Sequence, residues 1–351
     1  MNKRITELLK EHDFNKTLLI GYYGGGNFGD ELLLEIVINL FQKFGYSSTE
    51  IFYLWYISYK EFHRNVKGVR VIPKEKKVWG MLASIVRSKN ILVGGGGIWG
   101  LDFNNNVLAL SIILFLSRFL LGKKIFLVGI GYYSSTTKLG NFGAWLTAKA
   151  STEIIARDEE TFNNFKKFQK NTYVDTDLAF YLPELSLAPY TEDAERFIQK
   201  ISSDKKKIFL TIRRFGGGRG AAYMTALREV IKNNRDKQII LAMLETSSID
   251  VEGRSFTSEV QSQFPTVTIL PFSYNPILLY LFFRKEAKQI LVISPQFHGQ
   301  LLAILTGARF FPISYDNKNR ELFQRNSITS FTEIENINAQ NLQTWIDQSY
   351  G

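Results

Sequence analysis

TLLIGYYGGGNFGDELLLEIVINLF, residues 17–41, holds an apolar run, a glycine-rich turn and a stretch whose apolar residues recur at helical spacing. Strand, glycine turn and helix in that order open a βαβ unit, because the turn lets a buried strand hand the chain to a helix lying on the sheet. Outward from this segment the alternation repeats. Strand-like runs at 51–55, 91–93, 124–128, 153–156 and 172–174 are separated by helical stretches at 106–121, 141–150 and 159–168. A segment with two prolines, 181–190, interrupts the pattern, which resumes with strand candidates at 207–212, 238–241, 289–293 and 310–312. The expected fold class is α/β, with two Rossmann-like domains facing a central cleft, residues 1–183 and 184–351, the last helix able to pack back on the first domain. Ligands of such sheets bind beyond the carboxyl ends of the strands.

Composition narrows the chemistry. The chain has 351 residues, 45% of them hydrophobic, enough to bury two cores. It has no cysteine, which excludes disulfides, a thiolate nucleophile and cysteine-held metal. Three histidines, His12, His63 and His298, argue against a multi-histidine metal site. Charges run through the first residues, MNKRITELLKEHDF, where a signal peptide would be apolar, so a cytoplasmic location is expected. The most apolar run, 107–121, contains Arg118 and falls short of the roughly 20 residues that cross a bilayer, and it reads as a buried helix. The net charge of +10 points to an anionic partner: nucleic acid, a membrane surface or a phosphorylated substrate.

Five segments carry candidate chemistry, each after an expected strand. In GYYGGGNFGDE, 21–31, the spaced glycines satisfy a dinucleotide pattern that recurs at Gly95, Gly97 and Gly100, so the pattern is not specific. Asp30 and Glu31 would set two carboxylates where a pyrophosphate must sit, which opposes a nicotinamide cofactor. Glu31 reads as satisfying the helix dipole and its amides. Gly26, Asn27 and Asp30 read as ligand-facing at the turn, with the Asp30 carboxylate suited to sugar hydroxyls. In LVGGGGIWGLD, 92–102, Gly95 and Gly96 bring backbone close either to a packed helix or to a substrate.

In ARDEETFNNF, 156–165, Asp158 reads as a helix cap, and Arg157 either grips an anion or pairs with a neighbouring acid. In FLTIRRFGGGRG, 209–220, Arg213, Arg214 and Arg219 surround flexible glycines, either an anion site or a solvated loop. Cations this few, without interleaved aromatics, do not make a nucleic-acid surface, so no nucleic acid is expected as partner. In ILVISPQFHGQLLAILTGARFFPISYDNKNREL, 290–322, His298 starts a helix after a buried strand, an imidazole able to move protons near neutral pH or else a structural residue. Lys318 nearby is a phosphate ligand or a surface charge.

Taken in order, these segments resemble the polysaccharide pyruvyl transferase family over roughly residues 17–325. The resemblance rests on Gly26, Asn27, Gly29, Asp30 and Glu31; on Gly94 to Gly97; on Arg157 with Asp158; on Asp177 with Ala179; on Arg213; and on Ile293, Ser294, His298, Ser314, Tyr315, Asp316 and Lys318. It implies a GT-B-like glycosyltransferase architecture, acceptor sugar on the first domain and phosphoenolpyruvate on the second. It implies transfer of pyruvate from phosphoenolpyruvate to a sugar of a surface polysaccharide precursor, as a cyclic ketal. His298 would be the general acid, Arg213 would hold the donor anion, and Asn27 and Asp30 would hold or deprotonate the sugar diol. Gly95, Gly96, Arg157, Asp177, Arg214, Ser294, Gln296, Tyr315 and Lys318 would line the substrates. No metal or dissociable cofactor is implied. Gln296 stands where the family usually has an arginine on phosphoenolpyruvate, and an amide in place of that charge is expected to weaken anion binding by about 1–3 kcal/mol. The basic charge suits a sugar on a polyprenyl diphosphate, with peripheral contact at the cytoplasmic membrane face. The competing readings are a sugar-nucleotide glycosyltransferase of the same architecture and a catalytically silent sugar-binding component of polysaccharide assembly.

Overall fold

The computed structural model describes residues 4–24, 26–46, 49–53, 69–71, 77–99, 105–132, 137–213, 220–245 and 251–350. Two compact units result: residues 1–25 with 30–186, and residues 187–351 with the four-residue turn 26–29. The boundary falls three residues beyond the expected one, and the Gly26 to Gly29 turn clusters with the second unit rather than the first.

The first unit runs α1 (Ile5–Glu11), β1 (Thr17–Gly21), α2 (Phe28–Lys43), β2 (Thr49–Tyr53), β3 (Val69–Val71), α3 (Lys77–Arg87), β4 (Asn90–Trp99), α4 (Asn105–Leu121), β5 (Lys124–Tyr132), α5 (Lys138–Ala150), β6 (Glu153–Ala156), α6 (Glu159–Lys166) and β7 (Thr172–Val174). Its sheet has the order β3-β2-β1-β4-β5-β6-β7, parallel throughout. Strand order reverses beside β1, so the carboxyl ends of β1 and β4 form the switch point at which such sheets bind ligands. Every residue of β1 is buried, as a central strand covered on both faces requires.

The glycine run after residue 93, read from the sequence as a loop, is strand. Gly94 pairs with Val128 and Gly96 with Ile130, and the register shifts only before Trp99. Gly95 and Gly96 have φ of 71° and 82°, a conformation open to glycine at little strain. A Cβ on Gly95 would lie 2.7 Å from Leu33 Cδ1, so the run is also what lets α2 close on the sheet.

The second unit follows a pair of 3-10 turns, Leu178–Glu184 and Ala188–Tyr190, with α7 (Thr191–Ile201), β8 (Lys207–Ile212), α8 (Ala221–Asn233), β9 (Gln238–Met243), α9 (Val251–Gln263), β10 (Thr268–Leu270), α10 (Pro276–Glu286), β11 (Ile290–Ile293), α11 (Phe297–Thr306), β12 (Arg309–Phe311), β13 (Ile313–Ser314), α12 (Asn317–Arg325), β14 (Thr332–Glu333) and α13 (Ala339–Tyr350). Its main sheet has the order β10-β9-β8-β11-β12, again parallel. The last helix packs within its own unit. Leu342 and Ile346 of α13 are buried in the second unit's core with Leu227 and Ile231 of α8.

Candidate functional site

The second unit gathers four separated segments at the carboxyl ends of β8, β9 and β11. The amino-terminal turn is docked there by backbone. Phe28 N donates to Leu244 O at 2.9 Å, and Asn27 forms an antiparallel bridge with Glu245, just past β9. Within the turn, Asn27 Oδ1 accepts from Gly29 N at 2.9 Å. Phe28 anchors the turn by packing edge-on against Phe272, ring centroids 5.6 Å apart.

His298 lies in the first turn of α11 and is half-buried. Gly29 packs on its imidazole so closely that a Cβ at 29 would stand 2.1 Å from Nδ1. An alanine there must displace the ring. We expect Gly29→Ala to lower turnover at least tenfold with little change in the unfolding midpoint, which activity and circular dichroism on one sample would check. A Cβ on Gly299 would lie 2.2 Å from Ser294 Oγ, so this glycine lets α11 close on the end of β11.

Arg213 leaves the end of β8 and meets Tyr315. Its Nη1 donates to the phenol oxygen at 2.6 Å, and its guanidinium carbon lies 4.5 Å from the ring centroid. Burial pushes the Tyr315 phenol well above its ordinary pKa; Arg213 opposes that shift, and the carboxylates of Asp316 and Glu245 add to it. The phenol therefore stays protonated. Tyr315 is held by its approach: Gln300 Nε2 donates to Ile313 O at 2.8 Å and Gln300 Oε1 accepts from Ile313 N at 3.0 Å, clamping β13. Asp316 caps α12 through Asn319 N, which places Lys318 in that helix's first turn, half-buried. Arg214 and Arg219 lie outside the described residues.

Ser294 and Gln296 turn inward. Both are buried. Thr211 Oγ1 donates to Gln296 Oε1, Ser294 Oγ lies 2.9 Å from Thr211 Oγ1 within hydrogen-bond reach, and Gln296 Nε2 donates to Ile212 O at 3.0 Å. The Gln296 amide thus fastens the β11–α11 elbow to the end of β8. The position, expected to line the substrates, serves here as a brace at the end of β8, one residue before Arg213.

The first unit divides its sequence-predicted residues in two. Glu31 is buried and accepts from Gly24 N at 2.5 Å, pinning the glycine turn, while Tyr23 donates to Gly94 O at 2.5 Å. Asp30, half-buried, sits over Gly96, where a Cβ would come within 2.9 Å of Oδ1. Gly95 and Gly96 therefore make room for α2, and for the Asp30 carboxylate in particular. Arg157 and Asp177 form the other group. Arg157 is 8% exposed, with Nε 3.4 Å from Asp158 Oδ2 and Nη1 3.5 Å from Asp177 Oδ2. Asp158 caps α6 at Thr161 N, and Asp177 caps the turn at Ala179 N. Of the two readings of Arg157, the structure shows the internal ion pair.

Sequence reasoning missed Glu245 and Gln300. Glu245 was visible as a carboxylate just past an apolar strand, the position that marked the other candidates. Among the described residues, Glu11, His12 and Glu153 could together hold a metal ion, and none of them belongs to either cluster above.

The chain is similar in structure to the UDP-GlcNAc 2-epimerase of Methanocaldococcus jannaschii, at TM-score 0.61 and 16% identity over 94% of this chain and 91% of that one. It is similar to the UDP-GlcNAc 2-epimerase of Neisseria meningitidis, bound to UDP-GlcNAc, at TM-score 0.57 and 14% identity over 95% and 92%. Anabaena Alr3699/HepE in complex with UDP-glucose aligns at TM-score 0.55 and 12% identity over 95% and 89%. Likeness at this identity establishes the fold alone, two Rossmann-like units of the GT-B kind. No curated protein matches the chain. A family model described as polysaccharide pyruvyl transferase matches residues 27–317.

Proposed function

The chain belongs to the polysaccharide pyruvyl transferase family, and we propose that it transfers the pyruvyl group of phosphoenolpyruvate to two hydroxyls of a sugar in a surface-polysaccharide precursor. The observation that carries this reading is the meeting, in one unit, of Asn27, Glu245, His298, Arg213 and Tyr315 from segments far apart in the chain.

The reaction needs an anion hold, a proton donor and a base near a diol. Arg213, with its planar fork steadied by Tyr315, suits the carboxylate or phosphate of phosphoenolpyruvate. One sugar oxygen attacks C2 of the enol, and C3 takes a proton from His298 to become the methyl group. The second sugar oxygen then displaces phosphate from C2, closing the ketal as phosphate leaves with the C–O electron pair. Asn27 and Asp30 orient the diol; Asp30 accepts the first hydroxyl proton, and the second passes to the His298 imidazole left neutral by protonating C3. Gln296, committed to Ile212 O, supplies no charge to the donor, so Arg213 bears that task, aided by Lys318.

The test is donor binding. Labelled phosphoenolpyruvate should bind saturably and be displaced by unlabelled phosphoenolpyruvate but not by UDP-sugars. Arg213→Ala should weaken it by about 10–150-fold, the equivalent of 1.5–3 kcal/mol for a hydrogen bond to a charged group. Displacement by UDP-sugars alone would instead favour a sugar-nucleotide enzyme.

A further inference from the structure

Helix α4 departs from the amphipathic rule. Its inward positions Leu110 and Leu114 are buried in the first unit's core, but its outward positions Ala109, Ile112, Leu116, Phe119 and Leu120 are exposed and also apolar, with no charge among them. A helix apolar all round is normally covered on all sides. The exposure continues onto its neighbours, with Trp79 80% exposed and Val86 64% on α3, and Phe142 48% on α5. These helices form one layer. Met81 and Ile85 of α3, Leu110 and Leu114 of α4, and Ala144 and Ala148 of α5 share one core cluster, and Lys123 bonds the carbonyls of Val86 and Ser88 across the ends of α3 and α4.

Charge indicates what covers this face. From residue 77 to residue 152 the sequence has eight lysines and arginines and a single acid, Asp102. Arg87, Lys124 and Lys149 are exposed at or just beyond the carboxyl ends of these helices. A second copy meeting this face about a two-fold axis would bring a second set of the same cations and, on α3, α4 and α5, no acid to pair them. Aromatic and aliphatic side chains rimmed by cations, on a layer with no acid, instead match the interface of an anionic bilayer, where the rings enter the headgroup region and the cations meet lipid phosphates. Among the described residues, no helix is long and apolar enough to cross a membrane.

We propose that the outward face of α3, α4 and α5 docks the protein on an anionic lipid bilayer. The proposal does not depend on the reaction assigned above, because it concerns a different surface and is read without substrates. The experiment is cosedimentation of the full chain with vesicles of phosphatidylglycerol and phosphatidylcholine mixed, and of phosphatidylcholine alone. Binding should be strong to the first and weak to the second, and should fall as salt rises. The double variant Phe119→Glu, Leu120→Glu should lose at least tenfold in bound fraction while its circular dichroism and unfolding midpoint stay unchanged, since both side chains are exposed. Arg87→Glu with Lys124→Glu should lose binding to the anionic vesicles. Equal binding by wild type and apolar-face variant, no binding by wild type to anionic vesicles, or a wild-type dimer that Phe119→Glu, Leu120→Glu converts to monomer, would each overturn it.

Discussion

Replacing His298 with alanine is expected to lower phosphate release from phosphoenolpyruvate by about 10²–10⁴-fold, the usual contribution of a positioned general acid. In the proposed reaction C3 of the enol gains a proton while C2 gains oxygen, and His298 is the proposed donor of that proton. The fold should survive. His298 is half-buried at the start of α11, whose frame is set by Gln300 on Ile313 and by the Gly307 cap at φ 72°, neither of which uses the imidazole. His298→Gln keeps much of the volume and a hydrogen-bonding tip without a proton to give, so it should be as inactive as the alanine variant. Phosphate release under donor saturation, beside donor binding, separates the roles: binding should change little while turnover collapses. Near-normal turnover in either variant would remove His298 from the reaction.

The second large effect is on stability. Arg157→Met should destabilise the first unit by about 3–5 kcal/mol, because it leaves the buried carboxylates of Asp158 and Asp177 without their countercharge. Two features make the loss severe. Both carboxylates are fixed by capping bonds, to Thr161 N and Ala179 N, and cannot swing out to water without uncapping their turns. Gly131 also packs against the guanidinium, with a Cβ at 131 falling 2.6 Å from Nη2, so the strand end is shaped around it. Adding Asp177→Asn to Arg157→Met should restore part of the loss by removing one stranded charge. Urea unfolding followed by tryptophan fluorescence checks both variants. Unchanged stability with weakened substrate binding would instead assign Arg157 to the site.

The legible parts of this structure are those whose signal is local. β6, β7 and β8 run at 153–156, 172–174 and 207–212, as the sequence reading has them, because each is a short apolar run bounded by turn residues or charges. The cap at Asp158 was equally local, one side chain reaching an amide three residues on. β4 was read too short because glycine is depleted in strands, and only its pairing with β5 keeps Gly94 and Gly96 in the ladder. The small β3 and the helix α3 after it were missed as well.

Side-chain direction at a strand-to-helix elbow was beyond reach for another reason. Ser294 and Gln296 sit two residues apart beside His298, yet only the neighbouring strand, through Thr211 and Ile212, decides that both point inward. The partner of Arg157 was hidden by distance along the chain: Asp177 follows β7, and only the pairing of β6 with β7 brings the two together. The same holds for Glu245, whose place beside Asn27 depends on a turn more than two hundred residues earlier.

The most direct measurement of the transferase assignment is product stoichiometry. The purified protein, given phosphoenolpyruvate and a panel of nitrophenyl and lipid-linked sugars, should release one phosphate for each sugar that gains a ketal methyl group by NMR, with no pyruvate left free. Phosphate and free pyruvate formed together without a ketal, or no consumption of phosphoenolpyruvate with any acceptor while the protein remains folded, would contradict it.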